Sequence, residues 1–218
     1  MSKLAFIFPG QGAQKAGMGK DFYENSEAAR SFFDQAQKIL DFDLKEMCFG
    51  EHEELNLTEY TQPCMVSVCL AIVQELKKRG INPDITAGLS LGEYAAVAAA
   101  GGMNELDAIK LVRRRGILMQ STVPAGEGAM AAVLGLDAKK IEEILESFEN
   151  VWIANYNCPG QIVITGLTNE VQQASLALKE AGAKRVVELK VSGPFHSLLL
   201  KPAGEALLKE MESMSFSP

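Results

Sequence analysis

The residue types best suited to chemistry stand together at residues 85–94, which read ITAGLSLGEY. A short apolar strand is expected to run into a Gly-x-Ser-x-Gly turn and then into a helix. Such a turn presents the hydroxyl of Ser90 on strained backbone, with backbone N–H groups beside it. A serine held in this way can attack an acyl group and carry it as an ester. The pentapeptide also arises by chance, so its strand and helix have to be confirmed.

His196 is the candidate base for this serine. Imidazole ordinarily titrates close to neutral pH, and the chain has 2 histidines. His52 stands in a polar, glutamate-rich loop, where a solvated surface position is expected. His196 follows Gly-Pro-Phe at the end of a predicted strand, a loop position at which catalytic groups are common. The alternative for His196 is a structural histidine that is held by hydrogen bonds.

Two groups are candidates for holding the oxyanion that forms when a serine attacks an acyl group. The N–H of Leu91 opens the predicted helix directly after Ser90. A second donor should come from a loop that follows a neighbouring strand, and Gln11 in the loop GQGAQ at residues 10–14 qualifies. The alternative for this loop is a dinucleotide site, but residues 10–15 lack the third glycine or alanine of that pattern.

Arg115 is the most informative charged residue. On a helix predicted over residues 105–120 it shares one stripe with three apolar residues, namely Ala108, Leu111 and Leu118. A guanidinium on an inward face keeps its charge and needs an anion. It could pair with an internal carboxylate or with backbone carbonyls, or it could grip a substrate carboxylate through two parallel hydrogen bonds. The neighbouring Arg114 falls on a polar stripe and is expected to be solvated.

The elements that must position these residues alternate in type. Strands are predicted over residues 4–8 and 85–87, and helices over 25–40, 61–79 and 105–120. This alternation indicates an α/β core with a largely parallel sheet and helices on its faces.

After residue 125 the pattern changes. Strands are predicted over residues 129–134, 151–156, 161–165 and 186–191, and helices over 138–148 and 169–181. The order β-α-β-β-α-β is that of a ferredoxin-like unit. We therefore expect residues 126–192 to form an insert in a core made of residues 1–125 and 193–218, which ends with a helix over 200–211.

Composition excludes several classes of function. The formal net charge of −7 and the short basic run of three arginines argue against a nucleic-acid binder. The chain has no run of about 18 apolar residues, so no membrane span is expected. The 4 cysteines lack a C-x-x-C pair, which predicts reduced thiols in the cytoplasm and no metal site.

Taken in order, five segments resemble the malonyl-CoA:acyl carrier protein transacylase family of fatty-acid synthesis. They are FPGQGAQ at 8–14, GLSLGEY at 88–94, RGILMQ at 115–120, NYNCPGQ at 155–161 and VSGPFHS at 191–197. The resemblance implies a hydrolase-like core with a ferredoxin-like insert. It also implies that Ser90 takes malonyl from malonyl-CoA and that the phosphopantetheine thiol of acyl carrier protein removes it. The enzyme is expected to be a monomer without a bound cofactor.

The resemblance assigns roles to the candidate residues. His196 would act as base and then as acid, Gln11 and the Leu91 N–H would hold the oxyanion, and Arg115 would bind the malonyl carboxylate. Pocket positions are implied for Phe195, which favours malonyl over branched acyl groups, and for Asn157 and Leu89.

The chain departs from the family in two respects. Position 89 is usually histidine, and we expect Leu89 to tune the pocket without abolishing function. Family members continue beyond the last predicted helix, so their C-terminal part is expected to be missing here. A serine thioesterase, or a binding module with a decayed site, is the alternative function. An acidic acceptor protein would dock on basic residues near the insert, with Lys184, Arg185 and Lys190 as candidates.

Overall fold

The computed structural model describes residues 3–189, 191 and 193–217. The chain divides into two compact units, one made of residues 1–117 and 207–218 and the other of residues 118–206. The domain limits predicted from the sequence, after residues 125 and 192, both lie inside the second of these units and stay a prediction.

The first unit contains a parallel pair of short strands. Strand β1 (Ala5–Phe8) pairs with β2 (Ile85–Gly88) in a register that runs from Ala5 opposite Ile85 to Phe8 opposite Gly88. Both predicted strands are confirmed. Because the strands are parallel and in register, their following loops leave the same edge side by side.

Six helices begin in the first unit. They are α1 (Lys20–Asn25), α2 (Glu27–Gln37), α3 (Leu44–Phe49), α4 (Thr58–Lys78), α5 (Leu91–Ala99) and α6 (Glu105–Thr122). The helix predicted over 25–40 is present as α2 and is shorter at both ends. Ser26 is in extended conformation and its side chain accepts a hydrogen bond from the Ala29 N–H, so the chain ends α1 and caps α2 at this residue. The short helices α1 and α3 were not predicted.

Helix α4 is central to the core of this unit. More than half of its residues are buried, including Leu70 and Val73, and it packs against α2 and α5. Pro63 lies inside the helix, where it supplies no N–H for the carbonyl of Glu59 four residues earlier. A side chain from another helix satisfies that carbonyl, as described below.

The second unit has the predicted β-α-β-β-α-β order. Its elements are β3 (Gly128–Leu134), α7 (Ala138–Leu145), β4 (Val151–Cys158), β5 (Gln161–Leu167), α8 (Thr168–Glu180) and β6 (Arg185–Glu188). Helix α9 (Lys201–Met211) begins in this unit, and its residues from Leu207 onward belong to the first. The four strands form an antiparallel sheet in the order β4-β5-β3-β6. The ferredoxin-like fold of the insert is therefore confirmed. The last strand was predicted to reach residue 191, but β6 ends at Glu188.

The two faces of this sheet are covered differently. One face packs against α7 and α8 through buried side chains such as Val133, Ile164 and Leu178. The opposite face carries a smaller apolar cluster, in which Phe195 packs with Met130. The segment after β6 thus returns across the face that the helices leave uncovered.

Candidate active site

Ser90 occupies a strained turn between β2 and α5. Its φ is 50° and its ψ is −102°, and it is the N-cap residue of α5. A positive φ is uncommon outside glycine. Among the described residues, Ser90 and His196 are the two non-glycine residues that have it. The strand–turn–helix geometry predicted for residues 85–94 is therefore present, and strain of this kind concentrates at functional sites.

The two glycines of the serine turn are required by close backbone contacts. A Cβ atom on Gly88 would overlap the carbonyl carbon of Gly92, and a Cβ on Gly92 would overlap the carbonyl oxygen of Phe8. The start of α5 therefore lies directly against the ends of both strands. This contact explains the spacing of the Gly-x-Ser-x-Gly motif, because any side chain at either position would push the helix away from Ser90.

The N-terminus of α5 offers donors beside Ser90. The Gly92 N–H donates to the Leu89 carbonyl at 2.9 Å, and the Glu93 N–H donates to the Ser90 carbonyl at 3.1 Å. The Leu91 N–H opens the helix and belongs to the first amides, which have no acceptor within the helix itself. It also lies at the positive end of the helix dipole, which favours negative charge. Leu91 thus occupies the position expected of an oxyanion donor.

The loop that contains Gln11 follows β1 and lies against the serine turn. The ideal Cβ position of Gly10 is 2.9 Å from the Leu89 carbonyl oxygen. The Gln11 side-chain NH₂ donates to Thr58 Oγ1 at 3.3 Å, and the Gly12 N–H donates to Gln14 Oε1 at 2.7 Å. Within the part of the chain that the structure describes, the main-chain N–H of Gln11 has no protein acceptor.

Leu89 has the exposure expected of a residue at the rim of a site. Its side chain is 56% exposed, and its Cγ lies 3.4 Å from the ideal Cβ position of Gly10. Leu89 therefore faces the Gln11 loop, and its role in a substrate pocket stays a prediction.

The three consecutive arginines of α6 differ in their partners. Arg113 donates two hydrogen bonds of 2.9 Å to the Asp41 carboxylate and one of 2.7 Å to the Glu59 carbonyl. Arg114 donates to Glu210 at 2.8 Å and is exposed, as predicted. Arg115 has no carboxylate within ion-pair distance among the residues that the structure describes. Of the three, Arg115 is the arginine whose charge is available to an anion.

Arg115 lies beside an aromatic ring and is partly desolvated. Its guanidinium carbon lies 5.5 Å from the centre of the Tyr94 ring. Burial lowers the pKa of Arg115, and the interactions with Tyr94 and then Glu93 oppose that shift. Arginine stays charged in proteins. A carboxylate that binds beside this guanidinium would stabilise its charge, because burial has already removed part of its water.

His196 lies in the second unit, in a tight turn after the Phe195 segment. Its φ of 60° is supported by local contacts, because Ser197 Oγ donates to the Pro194 carbonyl at 2.7 Å. Pro194 in turn packs on Gly128, where a Cβ atom would overlap the proline ring. The turn that holds His196 is thus anchored on the beginning of β3.

The two other predicted pocket residues of this unit lie in different surroundings. Phe195 packs in the cluster that contains Met130 and Ala132. Asn157 is exposed on β4, at a β-bulge beside the hairpin whose Gly160 carbonyl accepts from the Gly135 N–H. The hairpin lies beside the end of β3, whereas Pro194 contacts Gly128 at the beginning of β3. Asn157 and Pro194 therefore lie near opposite ends of β3. The pocket role of Asn157 stays a prediction.

The structure therefore brings Gln11, Leu89, Ser90 and Leu91 to one edge of the parallel strands and places Arg115 against α5. Sequence patterns missed Thr58, Tyr94 and Arg113. Tyr94 stands four residues after Ser90, so helical spacing could have found it. The roles of Thr58 and Arg113 depend on long-range contacts and had no local signal.

The chain matches the family described as "Acyl transferase domain" over residues 5–217. The chain belongs to the acyl transferase family. The "Malonyl CoA-acyl carrier protein transacylase" of Bacillus subtilis is 49% identical over 218 residues, which cover 98% of this acyltransferase and 69% of that protein. The family that the five segments predicted is thus confirmed. The predictions of an α/β fold with a ferredoxin-like unit and of an acyltransferase are confirmed as well.

Solved structures share the fold of this acyltransferase. The malonyl CoA-acyl carrier protein transacylase of Clostridium perfringens is 43% identical, with a TM-score of 0.93 over 100% of this chain and 70% of that one. A malonyl-transacylase in complex with a type II PKS acyl-carrier protein is 40% identical, with a TM-score of 0.94 over 99% and 72% of the two chains. The acyltransferase thus spans about two thirds of the length of its relatives.

No helix in the described part of the acyltransferase is long and apolar enough to cross a bilayer. The described residues likewise contain no group of three or more histidine, cysteine, aspartate or glutamate side chains that could hold a metal ion.

Proposed function

We propose that this acyltransferase moves a malonyl group from malonyl-CoA to the phosphopantetheine thiol of acyl carrier protein, in fatty-acid biosynthesis. The observation that carries the proposal is the serine turn. Ser90 has a positive φ at the N-terminus of a helix, in a chain that is 49% identical to a protein named as such a transacylase. We place the enzyme in the cytoplasm as a monomer without a bound cofactor.

The first half of the reaction forms a malonyl ester on Ser90. The Ser90 oxygen attacks the thioester carbonyl, its proton passes to His196, and the carbonyl oxygen gains negative charge. The main-chain amides of Leu91 and Gln11 are the donors for that oxygen, since neither has an acceptor that competes within its own loop or helix. The carbon–sulfur bond then breaks, and His196 returns the proton to the leaving CoA thiolate.

The second half repeats these steps in reverse with a different thiol. His196 takes the proton of the phosphopantetheine thiol, whose sulfur attacks the ester carbonyl. The same two amides hold the oxyanion, and Ser90 leaves with the proton from His196. The ester is protected from hydrolysis only if the thiol reaches it before water does, so partition between the two acceptors separates a transacylase from a thioesterase.

Arg115 supplies the preference for malonyl over uncharged acyl groups. Its guanidinium has no described carboxylate partner and is partly desolvated beside Tyr94. A substrate carboxylate can accept two parallel hydrogen bonds from such a fork. We assign Phe195, Leu89 and Asn157 to the lining of the acyl pocket on the strength of the family resemblance.

Acyl carrier protein is expected to dock on basic residues of the second unit. Lys184 and Arg185 are exposed at the start of β6, and the Lys184 stem lies over Gly135 at the end of β3. Lys139 and Lys179 are exposed on the adjoining helices. Within the described residues none of these four cations forms an ion pair, so their charge is available to an acidic partner. Lys190, also predicted here, lies outside the described residues.

Intact-mass measurement with malonyl-CoA and no acceptor tests the proposed function. We expect a mass increase of one malonyl group on the wild-type chain and none on Ser90→Ala. Adding the carrier protein with its phosphopantetheine arm should remove the group into the carrier and not into water. A chain that gains no malonyl group, or a Ser90→Ala variant that gains one, would refute the proposal.

A further inference from the structure

We propose that Thr58 and Asn56 are positioning residues that hold the Gln11 loop in the geometry needed for oxyanion binding. This inference rests on the proposed function, because it concerns the same serine and the same oxyanion. It assigns a role to residues 56–58, where α4 begins, and none of the five motif segments includes these residues. Each step follows from contacts within the first unit.

Thr58 holds the side chain of Gln11. It is the first residue of α4 and is 1% exposed, and its Oγ1 accepts a hydrogen bond of 3.3 Å from the Gln11 side chain. That contact spans 47 residues of sequence. This bond fixes the Gln11 side chain and with it the loop, whose main-chain N–H at Gln11 has no acceptor among the described residues and is the donor that we assign to the oxyanion.

Asn56 holds the same loop through Gln14. The Gln14 Nε2 donates to Asn56 Oδ1 at 3.2 Å, while its Oε1 accepts the Gly12 N–H at 2.7 Å. Gly12 has a φ of 110°, which a residue with a side chain rarely adopts. Two glutamine side chains therefore connect a glycine-containing loop to a single short segment, residues 56–58.

That short segment is itself fixed by the helix that carries Arg115. The Glu59 carbonyl has no helical donor because Pro63 lacks an N–H, and Arg113 Nη1 donates to it at 2.7 Å. One turn further along α6, the ideal Cβ position of Gly116 lies 2.7 Å from the Thr58 carbonyl oxygen. The first turn of α4 is thus held against α6. Through the hydrogen bonds of Thr58 and Asn56, this fixed turn restrains the Gln11 loop.

The physical reason for such a device is the cost of ordering a flexible loop. Glycine-containing segments lose the most conformational entropy when a single geometry is imposed. A donor removed from an oxyanion site costs about 10²–10³-fold in rate, and a misplaced donor loses part of that. We therefore expect a loop that is released from Thr58 to slow attack by Ser90 about tenfold.

The test is the rate at which a fluorophosphonate probe labels Ser90 in the 218-residue chain. The Ser90 oxygen forms a bond to phosphorus, fluoride leaves, and the hydroxyl proton passes to His196, the proposed base. The phosphoryl oxygen occupies the oxyanion site whether or not malonyl is the natural substrate. Thr58→Val removes the acceptor at nearly constant shape and should slow labelling about tenfold. Thr58→Ser keeps the hydroxyl and should restore most of the rate.

Ser26→Ala is the matched control. Ser26 is buried, its hydroxyl donates to the Glu75 carboxylate near the other end of α4, and its side chain accepts from the Ala29 N–H at 3.1 Å, so it contacts neither the loop nor residues 56–58. Loss of this N-cap should lower the urea midpoint of unfolding, with the labelling rate unchanged. Equal slowing by Ser26→Ala and Thr58→Val would overturn the inference, since the effect would then follow from stability alone.

A double-mutant comparison shows whether Thr58 acts through Gln11. In a Gln11→Ala background, Thr58→Val should slow labelling no further, and a second tenfold loss there would overturn the inference.

Amide hydrogen exchange over residues 10–14 measures the order of the loop without requiring Ser90 to react. Exchange should become faster in Thr58→Val and in Asn56→Ala but not in Ser26→Ala, and unchanged protection in the first two variants would also overturn the inference. Labelling without malonyl transfer would refute the proposed function alone.

Discussion

The guanidinium carbon of Arg115 lies 5.5 Å from the centre of the Tyr94 ring, and Tyr94 stands four residues after Ser90 on α5. The helix that begins directly after Ser90 therefore also carries the aromatic ring that contacts Arg115. We proposed roles in the reaction for both Ser90 and Arg115, and α5 connects them within the first unit.

Arg115→Ala should reduce malonyl transfer far more than acetyl transfer. Hydrogen bonds to a charged group contribute about 1.5–3 kcal/mol each, so kcat/KM for malonyl-CoA should fall at least tenfold. Acetyl-CoA has no carboxylate and should be used as well as before or better. The matched control is Arg114→Ala, which removes an exposed pair with Glu210 and should leave both rates alone. Equal losses for both substrates would mean that Arg115 is structural.

Tyr94→Leu should weaken malonyl-CoA binding, and Tyr94→Phe should do so much less. The aromatic ring attracts the Arg115 cation by about 0.5–2 kcal/mol, and phenylalanine retains that attraction. KM for malonyl-CoA, compared among the wild type and the two variants, measures the effect. Indistinguishable Phe and Leu variants would argue that the Tyr94 ring does not hold Arg115.

Gly92→Ala should destabilise the fold strongly because its new methyl group would overlap the Phe8 carbonyl. Overpacking of this kind costs about 1–3 kcal/mol and sometimes more. Gly204→Ala provides the opposite case, since Gly204 lies within α9 with no atom within 4 Å of its ideal Cβ. It should stabilise the chain by up to about 1 kcal/mol. Urea unfolding of both variants checks the pair, and a tolerated Gly92→Ala would contradict the tight turn.

Asp41 should contribute to the pH dependence of stability. Its hydrogen bonds with Arg113 lower the pKa of the Asp41 carboxyl below its ordinary value. A lowered pKa in the folded state means that the contribution is present above the unfolded value near 4 and is lost as pH falls through the folded value. The urea midpoint, measured from pH 7 to pH 2.5, should therefore fall less steeply for Asp41→Asn than for wild type. Parallel curves would rule out this contribution.

The four cysteines should react with iodoacetamide in the order of their exposure. Cys158 is exposed, whereas burial raises the pKa of Cys69 to about 11 and keeps its thiol protonated at pH 8. Cys48 and Cys64 are buried and should react only after unfolding. Peptide mass mapping over a time course measures the order, and early modification of Cys69 would contradict it.

Local sequence patterns predicted most of the fold. The strand–turn–helix around Ser90 and the β-α-β-β-α-β order of the second unit follow from glycine spacing and hydrophobic periodicity, and the structure has both. Boundaries were predicted less accurately: the helix expected over 25–40 is α2, which Ser26 caps at its start and which ends at Gln37.

The candidate site was predicted less completely, for a physical reason. A serine in a Gly-x-Ser-x-Gly turn can be recognised from five consecutive residues, because the backbone geometry of the turn restricts which residues can occupy it. Partners that hold a loop by side-chain hydrogen bonds carry no such signal. Thr58 lies 47 positions from Gln11, and neither residue type is unusual in its own segment.

The sequence by itself determined that residues 88–92 turn sharply and present Ser90, since two glycines at that spacing permit a contact that no side chain allows. Helical spacing also placed Arg115 on an apolar stripe and Arg114 on a polar one. Only the tertiary structure decided which partners the neighbouring arginines have: Arg113 pairs with Asp41, 72 residues away, and Arg114 with Glu210, 96 residues away. Sequence patterns could not predict these pairs, because ion pairing depends on distances in space.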